Sequence, residues 1–264
     1  MPTHLSPNLV VHADWSIDPR KRWMCAAMRE SEGYVLSACE LVGPADPLLD
    51  RLRERAGGGT VLVGFDFPIG LPLAFARRAG IAGLTDVLPE LGSGRWARFY
   101  DLAEHADEIS LTRPFYPRRP GGTSRAQLVT ALGVSSFAEL LRRCERRTAT
   151  RNDACSLFWT LGGNQVGRAA IAGWREILAP AFRERPEQVG LWPFQGELDR
   201  LLSGFPIVVA ETYPAEACVH LGLTPPGRGW SKRDSADRRR CGLQVAARCA
   251  DMLRLSPELM QQIE

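Results

Sequence analysis

The sequence predicts an α/β fold in which a mixed five-stranded sheet is flanked by helices. Three strand-like segments near the start of the chain follow one another with short connections, which is typical of an antiparallel meander. Two later strand-like segments are each reached through a helical stretch, and such crossovers add strands to the same sheet. Together these observations favour a mixed sheet covered by helices. The five predicted strands are residues 8–15, 22–29, 33–42, 60–67 and 205–213.

The first three predicted strands are short apolar runs separated by turns. Residues 8–15, NLVVHADW, are largely apolar and end in Asp14 and Trp15. The following IDPRK is a turn, because an Asp-Pro pair initiates turns. Residues 22–29 and 33–42 are again mostly apolar, and their short links predict antiparallel neighbours.

A surface helix and a fourth strand come next. Residues 46–56 place apolar side chains between charges, which predicts an amphipathic helix with Asp46 as its N-cap. Three glycines, at 57–59, end this helix, and the apolar run 60–67 that follows them predicts the fourth strand. Within VLVGFDFPIG, Asp66 stands just before Pro68, which has no N–H for a sheet ladder and therefore ends the strand.

The remainder of the chain is predicted to be mainly helical. We expect one domain over residues 1–264, with a helical insertion at 71–204 between the fourth and fifth strands. Residues 235–255 predict a basic amphipathic helix. Its expected inner face consists of Leu243, Ala247, Ala250 and Leu253.

Composition and charge are those of an ordinary globular protein. The net charge is +3 and 45% of the residues are hydrophobic, so the balance does not force nucleic acid as a partner. The seven cysteines contain no C-x-x-C pair, which argues against a zinc ribbon and favours buried, reduced thiols. The first residues lack a signal-peptide pattern, and no apolar run approaches the roughly 20 residues that span a bilayer. We therefore expect a cytoplasmic protein without a membrane partner.

Three predicted strands end in the same way: an apolar run, one acid, and an aromatic residue that comes either next or one residue later. The runs are VVHADWS at Asp14, VLVGFDFP at Asp66 and IVVAETYP at Glu211. In open sheets with helical crossovers, sites lie beyond the carboxyl ends of the strands, so parallel neighbours would bring these carboxylates together. The alternative for Asp66 is structural: an aspartate there caps the turn or helix that follows.

A cluster of ionised acids needs a cation, because like charges raise one another's pKa and unsolvated charges are costly. Mg²⁺ in proteins takes one or two carboxylates and keeps several waters. The sequence therefore predicts a Mg²⁺ or Mn²⁺ site with Asp14, Asp66 and Glu211 as ligands. Lys232, in GWSKRDS, is a candidate for neutralising phosphate charge; the alternative is a solvated lysine before a helix.

Several segments of the chain resemble a known family. HADWS, VGFDFPIGLP, RRCERRT, GGNQVG, ETYPAE and GWSKRDSADRRR are similar to the predicted-nuclease family catalogued as domain of unknown function 429. The most specific are DFPIGLP and ETYP with SKRDSADR after it. That family is assigned a ribonuclease H-like fold. The resemblance therefore implies a three-strand meander followed by helix-linked strands.

The resemblance also implies an activity and site residues. Enzymes of this fold hold two metal ions on a cluster of acids, so a metal-dependent nuclease is implied. Asp14 and Asp66 match the acids that anchor such sites, and Glu211 lies in the family's own E-x-Y-P motif. Gln165, in GGNQVG, is implied as a polar substrate-binding residue. Many members of the fold also use an acid on the final helix, and the available residues are Asp237 and Asp251.

Arginines and aromatic residues in the predicted insertion point to nucleic acid as the partner. The loop TRPFYPRRP contributes Arg118, with Phe115 or Tyr116 to stack on bases. A second basic cluster, RRCERRTATR, contains Arg147 and Arg151. These arginines are predicted to form a groove for the phosphate backbone of DNA or RNA. The alternative is an ordinary arginine-rich surface.

Two further residue types are interpreted as structural. His12 shares the side of its strand with Asp14 and is interpreted as a buried neutral histidine rather than a ligand. Trp159 and Trp174 are predicted to lie in the core.

Three functions remain open from the sequence. The first is a metal-dependent phosphodiester hydrolase acting on nucleic acid. The second is a non-catalytic nucleic-acid or nucleotide-binding module that keeps the fold without turnover. The third is an actin-like phosphotransferase, which is disfavoured because it needs two duplicated halves with glycine-rich phosphate loops.

Overall fold

The computed structural model of the chain describes residues 6–148, 151–161, 166–224, 229–231, 233–250 and 253–263. Over these ranges the chain forms a mixed eight-stranded sheet flanked by helices. The strands are β1 (Leu9–Asp14), β2 (Trp23–Glu30), β3 (Gly33–Leu36), β4 (Glu40–Leu41), β5 (Val61–Phe65), β6 (Val189–Trp192), β7 (Ile207–Glu211) and β8 (Leu253–Leu255).

The helices are mostly short. The α-helices are α1 (Leu48–Arg55), α2 (Leu73–Ala79), α3 (Leu84–Val87), α4 (Arg125–Leu132), α5 (Val166–Gly173), α6 (Ala179–Glu184), α7 (Leu198–Gly204), α8 (Pro214–His220), α9 (Ser235–Cys249) and α10 (Pro257–Ile263). A π-helical turn at Trp174–Leu178 joins α5 to α6. No helix within the described ranges is long and apolar enough to cross a bilayer.

The sheet has the order β6-β7-β5-β1-β2-β3-β8, and β4 pairs with β2. Strands β1, β2 and β3 form the antiparallel meander that the short connections predict. Strand β5 is parallel to β1, and β7 is parallel to β5. The α/β class and the mixed sheet are therefore confirmed, whereas the expected number of five strands is wrong.

The register divides the central strands into two faces. One face, here called the Phe65 face, carries Val11, Ala13, Val63 and Phe65, each at most 2% exposed. The opposite face, here called the His12 face, carries His12 and Asp14 on β1 and Leu62 and Gly64 on β5. Because alternate residues of a strand point to opposite sides, the polar residues His12 and Asp14 of β1 both lie on the second face.

The chain divides into two compact units. The first consists of Met1–Asp66 and Gly190–Glu264 and contains nearly all of the sheet. The second, Phe67–Val189, occupies most of the range predicted as a helical insertion at 71–204. The predicted range begins four residues later and extends over β6 and α7, because the apolar run of β6 is too short to be recognised as a strand.

In the first unit, helices pack on the His12 face near both edges of the sheet. Leu201 and Leu202 of α7 pack with Val208 of β7 and Leu62 of β5. At the other side, α9 and α10 lie over β3 and β8. Helix α1 buries its leucines as the pattern predicts, but its N-cap is Pro47 rather than Asp46, with no side-chain cap.

The C-terminal part of the first unit differs from the prediction. The expected helix 235–255 ends at Cys249, and Leu253–Leu255 instead adds β8 in parallel to β3. Leu243 is 42% exposed, so the expected inner face is wrong. The residues that face inwards lie one position earlier in the chain than the predicted ones, for example Gly242 instead of Leu243. An added Cβ at Gly242 would lie 3.1 Å from Ile263, so the small residue at this position allows α10 to pack closely against α9.

The cysteines also differ from the prediction of reduced thiols. Cys25 on β2 forms a disulfide with Cys39, fourteen residues later. The backbone of Cys39 is held in turn by Gln262 of α10, through hydrogen bonds of 2.8 and 3.0 Å. Of the cysteines without a disulfide, Cys144 and Cys155 are exposed. The disulfide therefore ties the meander to the loop on which the last helix rests.

The second unit has its own aromatic core. Phe99 contacts Trp96, Phe115 and Trp174 with ring centroids 5.7 to 6.2 Å apart. The indole N–H of Trp174 donates to the carbonyl of Pro68 at 2.7 Å. Trp174 is fully buried, which confirms its predicted place in the core; Trp159 is only half-buried.

A buried ion pair adds to this core. The side chains of Arg142 and Glu145 lie 2.8 Å apart and are at most 4% exposed. Arg142 also donates from Nη1 to the carbonyl of Ile69 at 2.7 Å. Because both charges are satisfied inside the unit, Arg142 supports the loop after Phe67 and does not belong to a basic surface.

Candidate active site

Asp14 and Asp66 lie side by side at the carboxyl ends of two adjacent parallel strands. Ala13 and Phe65 are register partners, so the next residue on each strand, Asp14 and Asp66, reaches the same level. The backbone N–H of Asp66 also faces the carbonyl of Ala13, with N and O 3.4 Å apart. Both aspartates continue the His12 face, since they lie two residues beyond His12 and Gly64.

The carboxyl group of Asp66 is half-buried and is held by the main chain. Its Oδ1 accepts a hydrogen bond of 2.7 Å from the backbone N–H of Trp15. Burial raises the pKa of Asp66 to about 7. The Trp15 N–H opposes this rise, while the negative charge of Asp14 and a side-chain hydrogen bond with it raise the pKa further. The two carboxyl groups are therefore in direct contact, with Asp66 half-buried and Asp14 exposed.

No cation of the described chain compensates this pair. Neither carboxylate forms an ion pair with a lysine or arginine within the ranges that the structure covers. The buried Arg22 lies over the ring of Trp15 at 4.2 Å and donates from Nε to the carbonyl of Ser16. An arginine near the end of β1 therefore supports the turn after Asp14.

His12 is held from across the sheet by a threonine. Thr212 Oγ1 lies 3.1 Å from His12 Nδ1, although β7 and β1 are separated by β5. The two side chains meet over Gly64, where an added Cβ would lie 2.4 Å from Thr212 Cγ2. The glycine in VLVGF is therefore required for this contact. His12 is half-buried rather than fully buried as predicted, and it lies on the face of the two aspartates.

Glu211 lies one register step behind the aspartates. Its Cα partner on β5 is Phe65, whereas Thr212 is the residue level with Asp66. Strand alternation therefore assigns Glu211 to the Phe65 face and Thr212 to the His12 face. The three strands are parallel neighbours, as the prediction required, but the register aligns two of the three acids.

The predicted substrate-binding arginines all belong to the second unit and differ in their surroundings. Arg147 is exposed, while its backbone N–H donates to Asp153. Arg151 donates from Nη2 to the carbonyl of Cys144 at 2.6 Å, so it supports the preceding turn. Arg118 is exposed and faces Glu104 at 3.8 Å.

The proposed stacking residues of the same unit are not accessible. Phe115 and Tyr116 are 0% and 1% exposed, and the hydroxyl group of Tyr116 donates to Gln127 at 2.7 Å. Their prediction as base-stacking residues is wrong. They fill the core of the second unit, and the prolines of TRPFYPRRP made a buried segment resemble an exposed loop.

Several predicted residues cannot be placed. Lys232, Gln165 and Asp251 lie outside the described residues. Asp237 is described: it accepts a hydrogen bond from the N–H of Ser231 and pairs with Arg240 at 2.7 Å. Its carboxylate therefore has local partners at the start of α9.

The donor set suits a hard cation held by few protein ligands. Asp14 and Asp66 offer carboxylate oxygens with no compensating positive charge, and Mg²⁺ accepts one or two carboxylates with water completing its shell. The described residues contain no group of three or more His, Cys, Asp or Glu side chains that would hold a metal. The residues present thus fit one cation that is bound by two carboxylates and otherwise by water.

Comparisons with known proteins add no identification. No protein-family model, no curated protein and no solved structure matches the chain. The resemblance to the predicted-nuclease family therefore stays a prediction, based on the segments quoted above.

Sequence reasoning missed two contributors to the site. One is the backbone N–H of Trp15, which no side-chain motif encodes. The other is Thr212, whose role depends on its level relative to Gly64. The available signal was a glycine inside the strand pattern VLVGF, since such a glycine often marks a close approach.

Proposed function

We propose that the chain is a metal-dependent phosphodiester hydrolase of ribonuclease H-like fold, acting on nucleic acid in the cytoplasm. The observation that carries the proposal is the pair of Asp14 and Asp66. Two carboxyl groups lie level on adjacent parallel strands, in mutual contact and without a compensating cation in the described chain. A half-buried carboxyl group with a raised pKa beside a second carboxyl group is typical of functional sites.

The strand arrangement supports the fold named in the proposal. An antiparallel meander β1-β2-β3 is followed by β5 and β7, both added in parallel beyond β1. This is the order that the resemblance implies. Helices α8 and α9 follow β7 along the chain.

Each residue of the pair has a defined part in the proposal. Asp14 and Asp66 hold Mg²⁺ or Mn²⁺, and the Trp15 N–H fixes the orientation of Asp66 through Oδ1. When bound, a divalent cation lowers the pKa of water and neutralises charge on a phosphodiester. Glu211 is left out of this ligand set, because the register assigns it to the Phe65 face.

Exposed arginines of the second unit support nucleic acid as the substrate. Arg118 and Arg147 are exposed guanidinium groups on the second unit, and such groups contact phosphates. Arg151 is better explained by its bonds to backbone carbonyl groups.

The proposal is tested by hydrolysis of DNA and RNA oligonucleotides with Mg²⁺ or Mn²⁺. We expect Asp14→Asn and Asp66→Asn each to lower the rate at least about 100-fold, since even residues that only support metal ligands cost about 10- to 100-fold. Glu211→Gln should change the rate by less than about threefold. The matched control is Asp46→Asn, which alters an exposed aspartate of the same unit.

A second readout keeps binding separate from turnover. Isothermal titration with Mn²⁺ should detect a site in the wild type that both aspartate variants lose. Equal hydrolysis by the wild type and both variants would reject the proposed site. Oligonucleotide binding with neither hydrolysis nor Mn²⁺ binding would support the non-catalytic module instead.

A further inference from the structure

Strand β2 begins with an exposed tryptophan that the proposed function has not used. Trp23 is 46% exposed, whereas Trp15, just after β1, is 5% exposed. Tryptophan side chains are on average highly buried, because they carry a large apolar surface. Within the described ranges, no other aromatic ring packs against the ring of Trp23. Much of this indole ring is therefore open to solvent.

A second exposed apolar residue lies next to Trp23. The register partner of Trp23 on β4 is Leu41, which is 50% exposed. Residues that are directly opposite each other on antiparallel strands point to the same side, with Cβ atoms about 4.5–5.5 Å apart. The two side chains therefore form one apolar strip, here called the Trp23 strip, on a single face of the sheet.

The Trp23 strip lies beside the carboxylate pair. The register partner of Trp23 on β1 is Asp14, so Trp23 lies on the His12 face together with that aspartate. At this level the order across the sheet is Asp66, Asp14, Trp23 and Leu41. Asp14 is also exposed, so one ligand in solvent can reach a carboxylate and the indole ring at the same time.

A nucleotide has two parts that match this arrangement. Its phosphate carries the negative charge that a cation on Asp14 and Asp66 would neutralise. Its base, joined to the phosphate through one sugar, has a flat π-face that stacks on aromatic side chains. In a duplex each base is already stacked on its neighbours, so an aromatic side chain receives a base that is unpaired and unstacked.

We infer that Trp23 forms a base-stacking subsite beside the cation site, and that the substrate class is single-stranded nucleic acid. An unpaired base lies on the indole ring, its phosphodiester group points to Asp14, and Leu41 extends the apolar surface. Stacking accepts every base, because every base has a π-face. The inference rests on the proposed hydrolase function, since it assigns a substrate to that same site.

Binding of a labelled thymidine octamer, followed by fluorescence anisotropy, tests the subsite. Ca²⁺ serves as the oxygen-bound cation, and electrophoresis verifies that the probe stays intact. The comparison probe is a chain of the same length whose sugars carry no bases. We expect the wild type to bind the octamer at least about fivefold more tightly than the abasic chain. Trp23→Ala should remove this difference, and Trp23→Phe should keep most of it.

Two further variants separate stacking from general apolar contact. Trp23→Leu keeps an apolar side chain without a ring, so it should behave like Trp23→Ala. Phe194→Ala is the matched control: Phe194 is 45% exposed in the same unit and follows β6, three strands away from β2 across the sheet. This control should leave both affinities unchanged. Circular dichroism checks that each variant folds.

Hydrolysis tests the preference for single strands. The wild type should have a higher kcat/KM for a single strand than for a duplex of the same sequence. Trp23→Ala should lower kcat/KM for the single strand at least about fivefold, because it loses the stacked base. Isothermal titration should show unchanged Mn²⁺ binding in this variant, since Asp14 and Asp66 are intact.

Three results would overturn the inference. The first is equal binding of the octamer and the abasic chain by the wild type. The second is an unchanged octamer affinity in Trp23→Ala. The third is self-association of the wild type that Trp23→Ala abolishes without any effect on the octamer, which would assign the Trp23 strip to a second copy of the chain.

The subsite and the hydrolase proposal fail separately. Octamer binding that depends on Trp23, without hydrolysis by the wild type, would support the subsite and reject the hydrolase. Hydrolysis that depends on Asp14 and Asp66 but proceeds equally well in Trp23→Ala would support the hydrolase and reject the subsite.

Discussion

At the scale of single residues, the site depends on where the register places each side chain. Asp14 and Asp66 are level because Ala13 and Phe65 are partners. Glu211 lies one residue before the level of the two aspartates, and Thr212 is the residue of β7 at that level. A shift of one residue moves a side chain to the other face of a sheet. Because Glu211 is one residue out of register with the aspartates, the site is a pair of carboxylates and not a cluster of three acids.

The raised pKa of Asp66 predicts how stability depends on pH. Between about pH 4 and 7 the folded protein holds the Asp66 proton, whereas the unfolded chain has released it. This group therefore contributes stability that is complete below pH 4 and is lost as pH rises to about 7. The free energy of unfolding should fall by at most about 1.4 kcal/mol per pH unit from this source.

Chemical denaturation between pH 4 and 8 without divalent ions measures this slope. Asp66→Asn should flatten it and Asp46→Asn should leave it unchanged. Added Mg²⁺ should stabilise the wild type more at pH 8 than at pH 5, because the ion binds the ionised carboxylate. A slope that is the same in Asp66→Asn and the wild type would contradict the raised pKa.

Gly64 supports a second prediction at this scale. In Gly64→Ala the new methyl group would meet Thr212 Cγ2 at 2.4 Å, and moving Thr212 would break its contact with His12. We expect a loss of about 1–3 kcal/mol in the free energy of unfolding, measured by urea denaturation. Thr212→Ser removes Cγ2 and keeps the hydroxyl group, so the double variant should recover most of the loss. No recovery would mean that Thr212 is not the obstacle.

The sequence predicted the two aspartates for a physical reason that did not extend to the third acid. An acid at the end of an apolar strand is visible in VVHADWS and VLVGFDFP without knowledge of the partner strand. The face on which Glu211 lies depends on pairing with β5, and one strand's pattern does not encode that pairing. For the same reason the contact between His12 and Thr212 was not predictable.

At the scale of secondary-structure elements, close approaches of backbone decide where helices lie. Gly167 in α5 is buried, and a Cβ there would lie 2.2 Å from the carbonyl oxygen of Leu157. Since that oxygen belongs to the backbone, it cannot move aside cheaply. Helix α5 therefore rests directly on the segment around Leu157 because residue 167 has no side chain.

This contact predicts the sign of a glycine substitution. In a helix, Gly→Ala normally gains about 1 kcal/mol. Gly167→Ala should instead lower the free energy of unfolding by about 1–3 kcal/mol, because the clash outweighs the gain in propensity. Gly204→Ala in α7 is the control: nothing lies within 4 Å of its added Cβ, so stability should stay equal or rise. Equal effects of the two substitutions in thermal denaturation would contradict the close approach.

The elements that sequence reasoning missed are short or hidden within another periodicity. Leu253 and Leu255 fit the helical pattern of 235–255, yet they also alternate around Arg254 as in a strand. The segment forms a strand because Leu253 and Leu255 pair with Tyr34 and Leu36 of β3. Tertiary pairing of this kind outweighs a local preference, and one isolated segment does not reveal it.

At the scale of the whole molecule, the chain has two units with separate cores. The first is built on the sheet and the second on the aromatic cluster around Phe99. We expect calorimetry to show two transitions, with a calorimetric enthalpy larger than the van't Hoff enthalpy. Gly64→Ala should lower one transition temperature and Gly167→Ala the other. A single transition lowered by both substitutions would show that the units unfold together.

The two edge strands of the sheet, β6 and β8, leave few backbone groups free to pair with a strand of another molecule. Strand β6 has four residues and is followed directly by Pro193, which offers no N–H. Strand β8 has three residues, and its central Arg254 forms ion pairs with Glu30 and Glu32. Short, charged or proline-bounded borders give an incoming chain few groups to bond. Concentrated solutions of this protein should accordingly resist the strand-by-strand growth that leads to fibres.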